Sequence, residues 1–282
     1  MSLPHQLTRI QGLLRQIVLS AGERLRRGLG KTHHIRFKSE VDLVTEMDHA
    51  VEALFVQALR RHFPGHELVS EELVEASGRG FPSSPAPRGR VRWIVDPLDG
   101  TTNYAHGFPH FAVSAGVEWD GRVRLGAVYN PMLDELFIGR LGQGAWRNGR
   151  RLKVSRTATL RHALLATGFP YDLRISTRNN FVEFQYLSQH CQAVRRAGSA
   201  SLDLCDVAAG RFDGFWEYKL KPWDVAAASV MIAEAGGRLT DLAGKPHNLY
   251  GGTFLASNGR LHASLIKTLR DALAPRRGHK EA

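Results

Sequence analysis

The apolar run Trp93-Ile94-Val95 leads straight into two carboxylates three residues apart, Asp96 and Asp99, with Pro97 and Leu98 between them. A strand that ends in such a bend projects both acids from its tip, and rigid strand ends carrying short loops are where sites are built. Two crowded carboxylates repel each other and need a compensating cation. A hard divalent ion such as Mg²⁺, shared between carboxylate and phosphate oxygens, answers that need. Gly100, Thr101 and Thr102 follow at once, and a helical turn opening there would face an anion with its free N–H groups. Two further acidic points have a similar setting. Glu71-Glu72 follows the apolar Leu68-Val69, and Asp224 stands in Lys221-Pro222-Trp223-Asp224, where it can cap a helix that finishes at Gly236-Gly237. Taken singly, each of these acids also has an ordinary reading as a helix cap or a solvated surface group.

The elements that must position these residues are legible in the periodicity. Leu3, Leu7, Ile10, Leu14, Ile17, Val18, Ala21 and Leu25 recur at the spacing of an amphipathic helix over 3–29, ended by Gly28 and Gly30. A second helix is expected from about Asp42 to His62, stopped by Pro64-Gly65. Residues 76–90, rich in Gly, Pro, Ser and Arg, read as a loop. Val91–Val95, Ala112–Trp119, Arg122–Tyr129 and Glu135–Arg140 are short β-prone runs, with hairpin signals at Asp120-Gly121 and Asn148-Gly149. Further on, Ser201–Ala209 and Trp223–Ala235 read as helices, and Leu164–Gly168 and Gly214–Tyr218 as strands. Sheet followed by alternating elements implies a layered α+β architecture, with one domain over 1–282 made of an α+β half, about 1–155, and an α/β half, about 156–282.

Hydrophobic residues make up 43% of the 282 and charged residues 23%, values that exclude a disordered or fibrous chain. The longest nearly apolar run, Val225–Ala233, is half of what a membrane-spanning helix needs, and residues 1–19 carry no secretion signal. Two cysteines, Cys191 and Cys205, cannot form a disulfide framework and suit a reducing compartment, so a cytoplasmic location is expected. The net charge of +11 is concentrated in 1–40 and 140–170; the second segment holds Arg140, Arg147, Arg150, Arg151, Lys153, Arg156 and Arg161 without an acid. Such patches attract anions in general. Gly142-Gln143-Gly144 lacks the third glycine of a dinucleotide loop, no nucleophile elbow surrounds Ser114 or Ser199, and Gly107 and Pro109 spoil any helical pairing of His106 with His110 as zinc ligands.

The joint pattern resembles the inositol monophosphatase family of Mg²⁺-dependent, lithium-sensitive phosphatases. The matching pieces are Lys38 with Asp42-Leu43-Val44-Thr45 and Asp48, Glu71-Glu72, Asp96-Pro97-Leu98-Asp99-Gly100-Thr101-Thr102-Asn103, Gly198-Ser199-Ala200, and Trp223-Asp224 through Glu234-Ala235-Gly236-Gly237. The resemblance implies a layered αβαβα sandwich of the inositol monophosphatase and fructose-1,6-bisphosphatase type, working as a homodimer. It implies that Glu71, Asp96 and the Leu98 carbonyl hold a first Mg²⁺, that Asp96, Asp99 and Asp224 hold a second, and that a third binds near Glu71 through waters. Thr101, partnered by Glu71, would orient the attacking water, and the N–H groups of Gly100 and Thr101 would bind phosphate. Asp99, Ala200, Glu217 and Asp224 would face the hydroxyls of an inositol monophosphate. Two ions flanking a phosphate suit in-line displacement at phosphorus.

Thr102-Asn103-Tyr104 after Thr101 resembles the inositol monophosphatase branch, whereas the 3'-phosphoadenosine nucleotidase branch places Lys directly after that threonine. Histidinol-phosphate phosphatase, or another small phosphomonoesterase with the same metal ligands, is the alternative. A second alternative is binding to RNA or the transcription machinery, known for some bacterial relatives, which the Arg-rich patches would suit through phosphate contacts.

Overall fold

The computed structural model describes residues 3–31, 35–38 and 43–274; Asp42, at the expected start of the second helix, lies outside the described residues. In chain order the elements are α1 (Leu3–Gly28), β1 (Ile35–Phe37), β2 (Leu43–Thr45), α2 (Glu46–His62), β3 (Glu67–Ser70), α3 (Glu71–Ser77), β4 (Val91–Asp99) and α4 (Thr101–Ala105). Then come β5 (Ala112–Trp119), β6 (Arg122–Asn130), β7 (Glu135–Arg140), β8 (Gly144–Arg147), β9 (Arg150–Arg151) and β10 (Leu164–Thr167). The chain continues through α5 (Phe181–Ser188), β11 (Ala193–Arg195), α6 (Ala200–Ala208), β12 (Gly214–Tyr218), α7 (Pro222–Glu234), β13 (Arg238–Thr240), β14 (Thr253–Ser257) and α8 (His262–Leu273).

Strands β3 to β9 form a seven-stranded sheet in sequence order, and a five-stranded sheet has the order β11-β10-β12-β14-β13. The hairpin between β5 and β6 turns at Asp120 and Gly121, with φ of 52° and 71°, and the β8–β9 turn uses Asn148 and Gly149 at 47° and 79°. These left-handed conformations are the ones Asx-Gly pairs adopt most easily. One face of the large sheet buries Trp93, Val95, Val113 and Ala127 against Leu14, Val18 and Leu25 of α1 and Val51 and Phe55 of α2. Its other face meets α7, which with α6 lies between the two sheets, joining Ile94, Val128 and Phe137 to Phe215, Phe254 and Ala256. Beyond the small sheet, α5 and α8 cover Leu165, Trp216 and Leu255 with Leu187, Leu265 and Leu269. The order helix, sheet, helix, sheet, helix is the αβαβα sandwich.

The run Val225–Ala233 belongs to α7, which is buried on nearly all sides, from Pro222 and Trp223 through Val225–Ile232. A helix apolar all round belongs in a core, and no helix among the described residues is long and apolar enough to cross a membrane. It fits between two sheets because a row of glycines on the large sheet lies beneath it. Gly116 pairs with Gly126 across β5 and β6, and Gly126 with Gly139 across β6 and β7. A Cβ at Gly126 would lie 2.1 Å from the Ala227 carbonyl oxygen, and one at Gly116 would lie 2.7 Å from the Ala226 Cβ. Ala226 and Ala227 on the helix face Gly116 and Gly126 on the sheet, so backbone packs on backbone there.

Gly126→Ala is therefore expected to lower stability by about 1–3 kcal/mol or more through overpacking. It should also reduce any activity that depends on Asp224, near the start of α7. Thermal unfolding with a parallel activity assay checks this, and a variant as stable as the parent would show that α7 does not need the bare surface.

Candidate active site

The tip of β4 is irregular. Asp96 pairs with Ser114 and Asp99 with Ala112, so three steps on β4 meet two on β5. Pro97 has no N–H to give the ladder, and a bulge there re-aims the chain. The Leu98 N–H turns back to Asp96 Oδ1 at 3.0 Å. Gly100 follows with φ of 99°, where a Cβ would also meet the His110 and Gly198 carbonyl oxygens at 3.0 and 3.2 Å, so both the conformation and the space require glycine. The next residue, Thr101, opens α4. Glu71 reaches the same place because β3 runs parallel to β4 with Ser70 opposite Val95, one residue before Glu71 and Asp96.

The second half of the chain closes on this tip. Asp99 Oδ2 accepts from Ser199 Oγ and the Ser201 N–H, each at 2.7 Å, and from Ser201 Oγ. Asn103 Nδ2 donates to the His110 and Ala197 carbonyls at 2.7 and 2.9 Å. Asp224, in the first turn of α7, accepts from the Lys221 N–H at 2.6 Å. The Pro-rich loop also reaches α7. The Phe81 ring packs edge-on against Trp223 at 5.7 Å, with Lys221 Nζ above it at 5.4 Å, while the Ala86 N–H and the Ser84 carbonyl are held by Glu118 and Arg92.

One expected contact is replaced. The Thr101 hydroxyl lies 2.8 Å from the Leu98 carbonyl and 3.2 Å from Asp48 Oδ1, so its partners are these two and not Glu71. Asp48, buried at the start of α2, accepts through Oδ2 from the Thr45 N–H and hydroxyl at 2.8 and 2.7 Å. The signal for it is the capping box Thr45-x-x-Asp48, which also orients Asp48 toward the site. Glu71 faces Lys38, whose Nζ lies 2.9, 2.6 and 3.0 Å from Glu71, Glu72 and Glu75.

Glu71, Asp96, Leu98, Asp99, Gly100, Thr101, Ala200, Glu217 and Asp224, all nine residues singled out from the sequence, line one cavity of about 660 Å³. Its electrostatics are those of crowded acids. Burial, followed by the charges of Glu71, Asp99 and Asp224, pushes the Asp96 carboxyl well above the usual carboxylate range. Burial and the Asp99 charge do the same to Asp224. Glu217 is pushed up to about 8 by burial, against the pull of Arg196. At the Glu71 edge, burial raises Glu72 to about 8 despite Lys38. The Lys38 ammonium, for its part, is held protonated by Glu71 and Glu72 against the opposing effect of burial.

The donor set is all oxygen: four carboxylates and the Leu98 carbonyl. Among the described residues no three His, Cys, Asp or Glu side chains form a closed metal cluster; Asp99 and Asp224 are turned instead to the hydroxyl and amide donors named above. Hard oxygen donors with crowded negative charge fit Mg²⁺ or a similar divalent ion, which also keeps positions open for water and phosphate.

Comparison with known proteins agrees with this fold. The family model described as "Inositol monophosphatase family" matches residues 6–274. The chain is 42% identical over 262 residues to the Nus factor SuhB of Pseudomonas aeruginosa, covering 91% of this chain and 94% of that one. It is also 42% identical over 256 residues to the inositol-1-monophosphatase of Synechocystis sp., covering 90% and 86%. The solved inositol monophosphatase from Anabaena (Nostoc) sp. superposes with a TM-score of 0.83 at 41% identity, covering 94% of this chain and 97% of that one. With the same layered sandwich and a match over nearly its whole length, the chain belongs to the inositol monophosphatase family.

Proposed function

We propose that this protein is a Mg²⁺-dependent, lithium-sensitive phosphomonoesterase that hydrolyses inositol monophosphates. The observation that carries the reading is the convergence of Glu71, Asp96, Asp99 and Asp224 with the Leu98 carbonyl and Thr101 on one cavity. The name of the Synechocystis relative supports the substrate class.

Glu71, Asp96 and the Leu98 carbonyl would hold one ion, and Asp96, Asp99 and Asp224 a second, with a third near Glu71. When bound, such ions would neutralise charge on the phosphate and lower the pKa of a bound water. The first-turn N–H groups at Gly100 and Thr101 have no partner within so short a helix and can donate to phosphate oxygens. The Thr101 hydroxyl, donating to Asp48 or the Leu98 carbonyl, keeps its lone pairs free to accept from the attacking water and so orients it. The Glu71 carboxylate takes the proton that water gives up. Asp99, Ala200, Glu217 and Asp224 would face the hydroxyls of the leaving alcohol, whose oxygen takes a proton from solvent water as its bond to phosphorus breaks. In this reading the enzyme works as a cytoplasmic homodimer, for which the exposed Ile175, Phe181 and Val182 offer apolar surface.

A second reading is favoured by the name Nus factor SuhB carried by relatives at 40–42% identity. The exposed Arg150, Arg151, Lys153, Arg156 and Arg161 give a basic strip suited to a phosphate backbone. RNA binding that survives physiological salt and falls in the Arg150→Ala, Arg151→Ala double variant supports this added role; no binding at low salt rules it out.

Phosphate release from inositol 1-phosphate, histidinol phosphate and 3'-phosphoadenosine 5'-phosphate, with Mg²⁺, with EDTA and with added lithium, tests the main reading. A dominant inositol 1-phosphate rate, abolished by EDTA and inhibited by lithium, is expected; a preference for histidinol phosphate would overturn the substrate. Asp96→Asn should abolish turnover. Thr101→Ala and Asp48→Asn should each slow it by about 10²-fold or more while leaving cation binding in place, and full activity in both would refute the water-orienting chain.

A further inference from the structure

The Pro-rich segment between α3 and β4, residues 78–90, forms neither helix nor strand, yet buried side chains hold its backbone. Arg92 on β4, 5% exposed, stands opposite Glu118 on β5. Its Nη1 donates to the Ser84 carbonyl at 2.9 Å and to the Tyr250 hydroxyl at 2.8 Å. That hydroxyl donates in turn to Glu118 Oε2 at 2.9 Å, and the same oxygen accepts from the Ala86 N–H at 2.9 Å. Farther along, the Gly89 N–H donates to Asp120 Oδ1 at 2.6 Å. Breaking a buried network of this kind strands its charges and acceptors at high cost, so the segment is fixed to the large sheet through residues 84–89.

The front of the segment is presented to α7. The half-buried Phe81 ring stands edge-on to Trp223, with centroids 5.7 Å apart and planes at 82°, and the Lys221 ammonium lies over it at 5.4 Å. These two residues set Asp224. Trp223 precedes it and is itself buried, with its carbonyl accepting from Ser114 Oγ at 3.3 Å. Lys221 gives its N–H to Asp224 Oδ2 at 2.6 Å and accepts the Asp224 N–H at its carbonyl at 3.2 Å. At its other end the segment leaves α3, the helix that begins with Glu71. One anchored segment thus joins the helices of two acids that face the same cavity. Crowded carboxylates repel one another, so Asp224 has to be held from behind.

We propose that Phe81 is a positioning residue: fixed by the 78–90 segment, its ring holds Trp223 and Lys221 so that Asp224 stays aimed into the cavity before a cation binds. The proposal rests on the cation-binding reading of the cavity and adds what preorganises one of its ligands. Edge-to-face aromatic and cation–π contacts are each modest. Without them the binding-competent arrangement of Asp224 is populated only in part, which weakens the apparent affinity for the ion by that fraction; saturating ion restores the full population.

Calorimetric titration of the metal-free Phe81→Ala and Phe81→Tyr proteins with Mg²⁺, and their kinetics on inositol 1-phosphate across a Mg²⁺ series, test it, with thermal unfolding of each variant. Phe81→Ala should weaken Mg²⁺ binding, and raise the Mg²⁺ concentration for half-maximal rate, about 10-fold. Its kcat at saturating Mg²⁺ should stay within about twofold of the unmodified protein. Phe81→Tyr keeps the ring and should return Mg²⁺ binding to within about twofold. An unchanged Mg²⁺ dependence in Phe81→Ala, a kcat loss that saturating Mg²⁺ does not repair, or failure of Phe81→Tyr to restore binding would overturn the assignment. A Phe81→Ala chain that no longer folds would make Phe81 a structural residue and overturn it equally. If the unmodified protein binds Mg²⁺ but leaves inositol 1-phosphate intact, the substrate reading alone fails and the calorimetric comparison decides this one. If it binds no Mg²⁺, the cation reading fails and takes this one with it.

Discussion

The architecture depends on how closely one helix can lie on one sheet. Gly116, Gly126 and Gly139 stand in register on three adjacent strands, and Ala226 and Ala227 of α7 rest directly on the first two. Any side chain on that row would lift the helix, because packed interiors have no slack to absorb it. The seam brings the first turn of α7, and Asp224 with it, from the second half of the chain to the tip of β4. The grip of Ser199 and Ser201 on Asp99 makes a second bridge at the same place, and Asn103 a third. The site is therefore a product of both sheets.

Bringing those elements together concentrates negative charge where water is largely excluded. Lys38 is shared by three carboxylates at the Glu71 edge, and the buried acids farther in repel one another. A chain selected only for stability would dilute such a cluster. Sites that bind cations and anions carry this kind of strain and rely on the rest of the fold to offset it. The apolar clusters on both faces of the large sheet supply that support.

Local features of the sequence carried much of this. Alternation and Asx-Gly turns place β5, β6 and β7, and the strand running into Asp96-Pro97-Leu98-Asp99 announces the site. Glu71 and Asp224 were visible as acids at element ends, and the family resemblance joined them into a single site. What stayed hidden is non-local. Thr101 and Asp48 are 53 residues apart, and the Pro-rich loop is held through Arg92, which also reaches Tyr250, 158 residues away; no pattern along the chain encodes such pairs. The short strands β11 and β13 are too brief for periodicity to register. Helix α8 is not among the expected elements, although Leu261, Leu265 and Leu269 recur every four residues.

In the proposed reading, the crowded acids at the β4 tip hold divalent cations. Calorimetric titration of the metal-free protein with Mg²⁺, repeated on Asp96→Asn, tests it without reference to any substrate. Saturable binding to the unmodified protein that is lost or greatly weakened in Asp96→Asn is the predicted result. Absence of saturable binding, or binding that Asp96→Asn leaves unchanged, would contradict the account.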